Sequence, residues 1–317
     1  MEIQLQFLHF LQGLRNPVFD AFFSLITQLG DETGLIIVGL LFYWCLDKKS
    51  AHYLFLVGFV GTTVNQFLKL VFHIPRPWVL DPTLSPIESA IEGAGGFSFP
   101  SGHTQSSVGL FGAVGLLFKK NRPILITAIA LCVLVPFSRM YLGVHTPMDV
   151  LASVAVALFL VFATKPLLDR AWASRRGMLL LLGGATLLSI AQLLFVALYP
   201  FAPEVLGANL DSAYKNACTL LGAQLGLIVI YLADELWLHF ETKATVIGQV
   251  LKVVLGAAIA FGLKAGLKAP LASLCGEGTE ALPRYFLLVV FAGVLWPLTF
   301  RFFAKIGAKR ANIDGEA

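Results

Sequence analysis

The chain has 317 residues, of which 57% are hydrophobic and 13% are charged, and its mean hydropathy is +0.79. A soluble domain carries about 25% charged residues, so this composition indicates a membrane protein and excludes an ordinary soluble fold. The net charge of +4 is small, and we expect no nucleic-acid partner.

Residues 1–30 contain two short helical patterns. Residues 3–15 alternate apolar and polar side chains at helical spacing, and Asn16-Pro17 starts a second pattern over residues 18–29. A transmembrane helix needs about 20 apolar residues, more than either pattern supplies. We therefore predict that residues 1–30 form interfacial or shallowly inserted helices, with a short true span over residues 18–29 as the alternative.

From residue 31 onward, apolar runs long enough or nearly long enough to cross a bilayer follow one another. We predict about nine spans, near residues 31–46, 51–73, 103–118, 123–143, 147–168, 177–198, 216–237, 244–267 and 284–303. The spans must be helices, because no strand pattern closes a barrel and lipid tolerates no unpaired backbone. The predicted fold is an all-α, polytopic transmembrane helical bundle.

A series of basic residues falls at alternate turns of this arrangement, which places this series on one side of the membrane. They are Lys48, Lys49, Lys119, Lys120, Arg122, Lys165, Arg170, Arg175, Arg176, Lys243, Lys305, Lys309 and Arg310. By the positive-inside rule this side is cytoplasmic. The opposite, non-cytoplasmic side then carries residues 74–102, 144–146, 199–215 and 268–283.

The first polar cluster is Lys69, near the end of a predicted span, and Arg76, just beyond it. Cations near helix C-termini often have only a structural role, since they interact favourably with the negative end of the helix dipole and extend to the membrane–water interface. These two, however, lie on the side opposite that series of basic residues. An arginine fork and a lysine point charge together suit a phosphate group.

The second cluster is Ser101-Gly102-His103, at the start of a predicted helix. Ser101 is a good N-cap and Gly102 is a turn residue, so a structural explanation covers both but leaves His103 without a role. The alternative is functional: a helix N-terminus offers free N–H groups to an anion, and His103 in the first turn would face it.

The third cluster contains Arg139, His145 and Asp149. Thr146 is a good helix cap and Asp149 an acid in the first turn, so Asp149 again has a structural explanation. Yet His145 and Asp149 are four positions apart at a helix start, a spacing that brings the carboxylate within reach of the imidazole. A carboxylate that holds one ring N–H leaves the other nitrogen free to attack. Arg139, near the end of the preceding helix, can reach the same pocket.

The spans after residue 170 lack such a cluster but contain charged residues. Lys252 lies well inside a predicted span, and Asp234-Glu235 lie near the inner end of the preceding one. Intramembrane charges suggest function, although a structural pair or snorkelling explains them equally well. Gly262 and Gly266 form a GxxxG pattern, which predicts a helix-packing contact.

The three clusters together resemble the signature of the type 2 phosphatidic acid phosphatase superfamily, which also includes bacterial acid phosphatases and vanadium haloperoxidases. The matching patterns are Lys69-x6-Arg76-Pro77, Pro100-Ser101-Gly102-His103 and Ser138-Arg139-x5-His145-x3-Asp149. The resemblance covers residues 31–168, and it implies a six-helix-type phosphatase core there. Residues 169–317 then form a C-terminal transmembrane extension of about four spans that lies outside it.

The resemblance also implies a role for each motif residue. His145 would be the nucleophile that becomes a phosphohistidine, Asp149 would orient it, and His103 would protonate the leaving oxygen. The phosphate would be bound by Lys69, Arg76, Ser101, Gly102 and Arg139. The family needs no metal or other cofactor. The sequence agrees, because its four cysteines make no CxxC or Cys/His spacing and are interpreted as core thiols.

The function expected from this pattern is a lipid phosphatase of the cell membrane, acting on the non-cytoplasmic side on a phosphate monoester or pyrophosphate. Candidate substrates include phosphatidic acid, polyprenyl pyrophosphate and sphingoid-base phosphates. A lipid phosphotransferase using the same site is the first alternative. A lipid transporter that depends on Lys252 and Asp234-Glu235 is the second.

Overall fold

The computed structural model describes residues 1–201 and 207–306, and within these ranges the secondary structure is entirely helical. The helices are α1 Glu2–Gly13, α2 Pro17–Gln28, α3 Glu32–Leu41, α4 Lys48–Phe72, α5 Pro77–Leu80, α6 Glu88–Ile91, α7 Gly102–Leu117, α8 Arg122–Tyr141, α9 Pro147–Ala171, α10 Arg175–Leu198, α11 Ala208–Ala233, α12 Val246–Gly266, α13 Lys268–Cys275, α14 Ala281–Val290 and α15 Phe300–Lys305. The prediction of an all-α polytopic bundle is confirmed.

In the part of the chain that the structure describes, seven helical segments are long and apolar enough to cross a membrane. An eighth results if the bent pair Pro17–Gln28 and Glu32–Leu46, at 51° to each other, counts as one span. The remaining predicted span, residues 103–118, corresponds to α7. That helix has 16 residues, about 24 Å at 1.5 Å per residue, and is therefore shorter than the hydrocarbon core.

Helix α7 lies at the centre of the motif-bearing half, packed against α4, α8 and α9. Small residues make this possible: a Cβ at Gly109 would lie 3.4 Å from Val57 on α4. A Cβ at Gly115 would lie 3.2 Å from Ala128 on α8. The N-terminus of α7, which bears the second motif, is therefore held between helices that bear the first and third.

The N-terminal helices lie at the motif-bearing end of the bundle. His9 on α1 is 2.8 Å from Asp81 in the loop after α4, and the amide of Met148 donates to Gln4. The side chain of Asn16 caps α2 by accepting hydrogen bonds from the backbone amides of Val18 and Phe19. The interfacial placement of residues 1–30 stays a prediction.

At the opposite end, basic side chains form ion pairs across helices. Lys48 is 2.7 Å from Asp234, and Lys49 is 2.7 Å from Asp169. One of the charged residues noted in the C-terminal spans therefore has a structural partner. Lys309 and Arg310, which were predicted on this basic side, lie outside the described residues.

The C-terminal helices pack most closely where α11 meets α14. A Cβ at Gly222 would overlap the carbonyl of Leu282, and one at Gly226 would lie 2.7 Å from Val289. The predicted contact at Gly262 and Gly266 is wrong, because no heavy atom of the described chain beyond their own helix and chain neighbours lies within 4 Å of either Cβ position. The GxxxG spacing is present in α12, but that face is not covered by another helix.

Helices α3, α11 and α14 each end in a wide π-helical turn, at Phe42–Leu46, Asp234–Leu238 and Phe291–Leu295. In such a turn the N–H bonds five residues back, as the amide of Trp296 does to the carbonyl of Phe291 at 2.8 Å. The shifted bonding frees other carbonyls for partners. One of these, the Ala292 carbonyl, accepts from the indole of Trp44 at 2.8 Å.

Candidate functional site

The two cations of the first motif are held by the loop that follows α4. The helix ends at His73, whose φ of 48° turns the chain back. Lys69 Nζ donates to the carbonyl of Phe97 at 2.6 Å. Arg76 donates from Nη2 to Gly95 at 2.8 Å and from Nε to Gly96 at 3.0 Å. Both cations are buried and fixed in position by backbone carbonyls.

Arg76 also contacts the third motif. Its Nη1 lies 3.0 Å from the Val144 carbonyl and 3.0 Å from Nε2 of His145. A guanidinium can only donate hydrogen bonds, so Nε2 of His145 is the acceptor and carries a free electron pair. The proton of the neutral ring therefore sits on Nδ1, the nitrogen that faces Asp149.

Asp149 is 1% exposed, and one of its oxygens accepts two hydrogen bonds and lies near a ring nitrogen of His145. Its Oδ2 accepts from Ser98 Oγ at 2.6 Å and from the amide of Thr146 at 2.8 Å. It also lies 3.4 Å from Nδ1 of His145. This last separation exceeds the ~2.7–2.9 Å of a charge-assisted hydrogen bond, so the contact is electrostatic.

The start of α7 completes this arrangement. Ser101 Oγ accepts from the amide of Thr104, as an N-cap does, at 3.4 Å. The amide of Ser101 donates to the backbone carbonyl of Asp149 at 3.2 Å, which joins the second and third motifs directly. Gly102 and His103 follow in the first turn and line a cavity, with His103 close to Gly93 across it.

Arg139, in the last turn of α8, is almost fully buried. Its Nη1 donates to Thr27 Oγ1 on α2 at 2.6 Å, whereas within the described chain its Nε and Nη2 have no partner. With His103 and Gly93 it lines a small cavity of about 240 Å³. Two unsatisfied donors of a buried cation are costly, which makes this a place for an anion.

The motif residues meet at one end of a larger cavity of about 530 Å³. Lys69, Arg76, Gly102, His103 and His145 line it. Arg139 reaches it through the adjoining small cavity, which shares His103. Ser101 and Asp149 are buried behind it as supports. All eight predicted site residues thus lie in one connected group, although three of them do not line the main cavity.

The charges around His145 affect its protonation. Burial and then the cations Arg76, Arg139 and Lys69 hold the pKa of His145 well below its usual range. A positive ring would lose hydration and be repelled by three cations. The ring is therefore neutral at physiological pH, with Nε2 unprotonated, which is the state that can act as a nucleophile.

Two contacts were missed by the sequence analysis. Ser98 binds Asp149 and Thr27 binds Arg139, and both are ordinary hydroxyl residues with no distinguishing neighbours. The glycine-rich run Gly93–Gly96 is a weak sequence signal, because it indicates a loop without indicating its partner. It supplies two of the carbonyls that hold Arg76.

Among residues 1–201 and 207–306, no group of three His, Cys, Asp or Glu side chains is arranged to hold a metal ion. The charged groups nearest His145 are cations, Lys69 and Arg76 in the cavity wall and Arg139 beside it, while the carboxylates Asp31 and Glu32 line the cavity on the α3 side. Together with a neutral imidazole, the cations form an arrangement that can bind an anion and present a nucleophile to it.

Two family models match the chain. The model of the PAP2 superfamily matches residues 50–173. The model of the PAP2 superfamily phosphatase transmembrane extension matches residues 217–310. The second match lies in the C-terminal spans, beyond the motifs that suggested the resemblance.

Several curated proteins are also similar. Undecaprenyl-diphosphatase BcrC of Bacillus subtilis is 31% identical over 151 residues, which are 46% of this chain and 74% of that protein. Phosphatidylglycerophosphatase B of Bacillus subtilis is 29% identical over 48% of this chain and 76% of that protein. A probable sphingosine-1-phosphate phosphatase of Dictyostelium discoideum is 29% identical over 76% of this chain but only 59% of its own length. No solved structure matches the chain at a significant level.

Proposed function

The chain belongs to the PAP2 superfamily and is an integral membrane lipid phosphatase, and from this premise we propose that His145 removes the phosphate through a phosphohistidine. The observation that carries the proposal is the contact between Arg76 Nη1 and His145 Nε2, at 3.0 Å. It supports Nε2 as the unprotonated nitrogen, and the cation beside it is one to which we assign phosphate binding.

In the first step, Nε2 of His145 attacks phosphorus, and the bond between phosphorus and the lipid oxygen breaks. His103 donates a proton to that oxygen as it leaves. The negative charge of the bound phosphate favours the protonated form of His103, which prepares it to donate. Asp149 holds the Nδ1 side of His145 and stabilises the positive charge that develops on the ring.

In the second step, His103 takes a proton from a water molecule whose oxygen attacks phosphorus. The N–P bond breaks, its electron pair returns to Nε2, and inorganic phosphate leaves. Lys69, Arg76 and Arg139, with the free amides at Gly102, bind the phosphoryl oxygens throughout. Ser101 shapes that helix N-terminus, and Ser98 holds Asp149 in place. No metal ion or cofactor enters either step.

The substrate we propose is an amphiphile whose phosphate or pyrophosphate reaches this site from the membrane. The names of the relatives span undecaprenyl diphosphate, phosphatidylglycerophosphate and sphingosine 1-phosphate as substrates of those proteins. We extend this range to the present chain as candidates. The catalytic core would be residues 31–168, with residues 1–30 and 169–317 as flanking segments.

The test is phosphate release from a panel of these lipids in detergent and EDTA. Wild type should release phosphate without metal, and His145→Ala should release none, since a nucleophile has no substitute. His239→Asn, at the opposite end of the molecule and in a left-handed conformation that Asn tolerates, is the matched control. Release that persists in His145→Ala overturns the mechanism. A phosphorylated acceptor without free phosphate would favour the transferase.

The proposed location is the cell membrane, with the site on the non-cytoplasmic face. Glu88→Cys, on the exposed loop beside the site, should react with an impermeant thiol reagent in intact cells. Lys120→Cys, exposed at the opposite end, should react only after permeabilisation. Both are made with Cys275→Ser, because Cys275 is an exposed native thiol. Labelling in the reverse order contradicts the orientation.

A further inference from the structure

The cavity of about 530 Å³ does not end at the catalytic residues. From Lys69, Arg76 and His145 it continues between α3 and α4 on one side and α11, α12 and α14 on the other. The second set belongs to the C-terminal extension, for which the mechanism uses no residue. The continuity with the phosphate site is the first reason to assign this space to the substrate.

The lining of α4 changes character along the cavity. Phe55, Phe59, Thr62, Gln66 and Lys69 follow one another at helical spacing and all face the same space. They are aromatic at the deep end, hydroxyl and amide in the middle, and cationic beside the catalytic residues. This order matches an amphiphile whose phosphate lies at Lys69 and whose hydrocarbon lies at Phe55.

Helix α12 of the extension shows the same order. Lys264 lines the cavity near the catalytic end, and Phe261, Ala260, Ala257 and Val253 follow toward the deep end. The residue at the outer position is polar and those below it are apolar, as on α4. Two alanines in the middle leave room that larger side chains would fill.

Helix α14 repeats the pattern, from Tyr285 through Leu288 and Val289 to Ala292. On three separate helices the lining is therefore polar at the catalytic end and apolar at the deep end. A packing void would have no reason to show a consistent gradient that starts at the catalytic cations.

The deep end is closed by a fixed floor. Trp44 at the end of α3 donates its indole N–H to the Ala292 carbonyl at 2.8 Å. Lys252 on α12 donates to the Trp44 carbonyl at 2.7 Å, and the indole of Trp296 donates to the Lys252 carbonyl at 3.1 Å. These bonds join α3 to the extension and set a definite depth.

The depth follows from the helix geometry. Phe55 and Lys69 are 14 residues apart on α4, or about 21 Å at 1.5 Å per residue. Half of the hydrocarbon core is about 15 Å. A chain held here would therefore reach past the middle of the bilayer while its phosphate stays at the catalytic end.

The cavity is open to the side between α3 and α12. Ile37 on α3 and Phe261 on α12 line it and are nevertheless 45% and 53% exposed. Large apolar side chains at such an edge face lipid in a membrane protein. A tail could therefore enter from the bilayer without crossing water.

We propose that this cavity is the binding site for the hydrocarbon tail of the substrate lipid, with the C-terminal helices α11, α12 and α14 as one of its walls. The proposal rests on the proposed function, since it needs a lipid phosphate at the catalytic end. It gives the extension a role in substrate selection, and it identifies Ala257 and Ala260 as residues that determine which tails fit.

The first test compares hexadecyl phosphate with the water-soluble butyl phosphate. Ala257→Phe and the milder Ala260→Leu should lower the ratio of kcat/KM for the long over the short substrate by about tenfold or more, because the added groups occupy the space of the tail. Ala258→Phe is the matched control: it adds the same ring to the exposed, lipid-facing side of the same helix, and its ratio should match wild type. Unchanged ratios in both lining variants overturn the proposal.

The second test does not depend on turnover. A long-chain alkyl phosphate with a diazirine at the tail end is irradiated with His145→Ala in detergent, and the labelled peptides are identified. Label on Val253 or Ala292 supports the tail site. Label confined to Val254 and Leu255, on the outer face of α12, overturns it. Wild type that hydrolyses neither phosphate while the label still enters the cavity would count against the proposed function alone.

Discussion

The guanidinium of Arg76 lies 3.0 Å from Nε2 of His145, the nitrogen that we assign as nucleophile. The cation therefore lies against the electron pair that, in the proposed mechanism, attacks phosphorus. We expect an entering phosphate to offer its oxygens to the same guanidinium and to replace the ring nitrogen as its partner, while the carbonyls of Gly95 and Gly96 keep the arginine in place. Substrate binding would then free the electron pair of the nucleophile.

Arg76→Lys should show how much of this depends on the planar fork. Lysine keeps the charge but cannot bind Gly95, Gly96, Val144 and the ring at once. We expect kcat/KM to fall by roughly 10²–10³, as for loss of an oxyanion donor. The assay is phosphate release, with the exposed Arg122→Lys as control. A loss below about tenfold would mean that charge alone suffices.

Ser98→Ala tests a residue that the sequence analysis missed. Its hydroxyl donates to Asp149 at 2.6 Å in a fully buried position. Removing it leaves the carboxylate short of a donor, and we expect the barrier to rise by about 1–3 kcal/mol, or roughly tenfold to hundredfold in kcat/KM. Ser107→Ala, an equally buried hydroxyl that bonds the Thr104 carbonyl, should leave kcat/KM near that of wild type. Equal effects in both variants would indicate a general packing defect.

The lowered pKa of His145 predicts a pH-dependent stability. The unfolded chain binds a proton on this ring near pH 6.5, whereas the folded chain resists it. The unfolded state therefore binds more protons below that pH, so stability is present above about 6.5 and is lost as the pH falls. His145→Asn lacks this titration and retains the others.

Thermal unfolding in detergent from above pH 7 to about pH 5 measures the difference between the two proteins. The Tm of wild type should fall relative to that of His145→Asn as the pH decreases. A Tm difference that does not change with pH would mean that the folded protein protonates His145 normally.

Much of the motif geometry could be predicted from the sequence because its signals are local. The caps at Ser101 and Thr146 set where α7 and α9 begin, and both helices start there. The hydropathy pattern did not predict polar helix ends. Helix α11 starts at Ala208, eight residues before the predicted 216, because Asn209 and Asp211 in its first turns are too polar for a membrane-spanning pattern.

The rest depends on contacts between distant segments, for which no local pattern exists. Ser98 meets Asp149 across 51 positions, and Trp44 meets Ala292 across 248. Each residue is ordinary in its own neighbourhood. The cavity is likewise formed by six helices together, so the gradient along its walls exists only in the folded arrangement.

Lys252→Met tests the floor of the cavity and the charge that suggested a transporter. Lys252 is 0% exposed, and its ammonium donates to the carbonyls of Trp44 and Thr242 and lies 4.4 Å from the ring centre of Phe300. Methionine keeps the length of the side chain but leaves both carbonyls without this donor. We therefore expect the free energy of unfolding to fall by about 1–3 kcal/mol. At roughly 2–4 °C per kcal/mol the Tm should fall by several degrees, while the exposed Lys268→Met should not change it. An unchanged or raised Tm in Lys252→Met would show that the buried charge does not stabilise the protein. A charge kept without a gain in stability indicates a functional role, which would favour the transporter hypothesis.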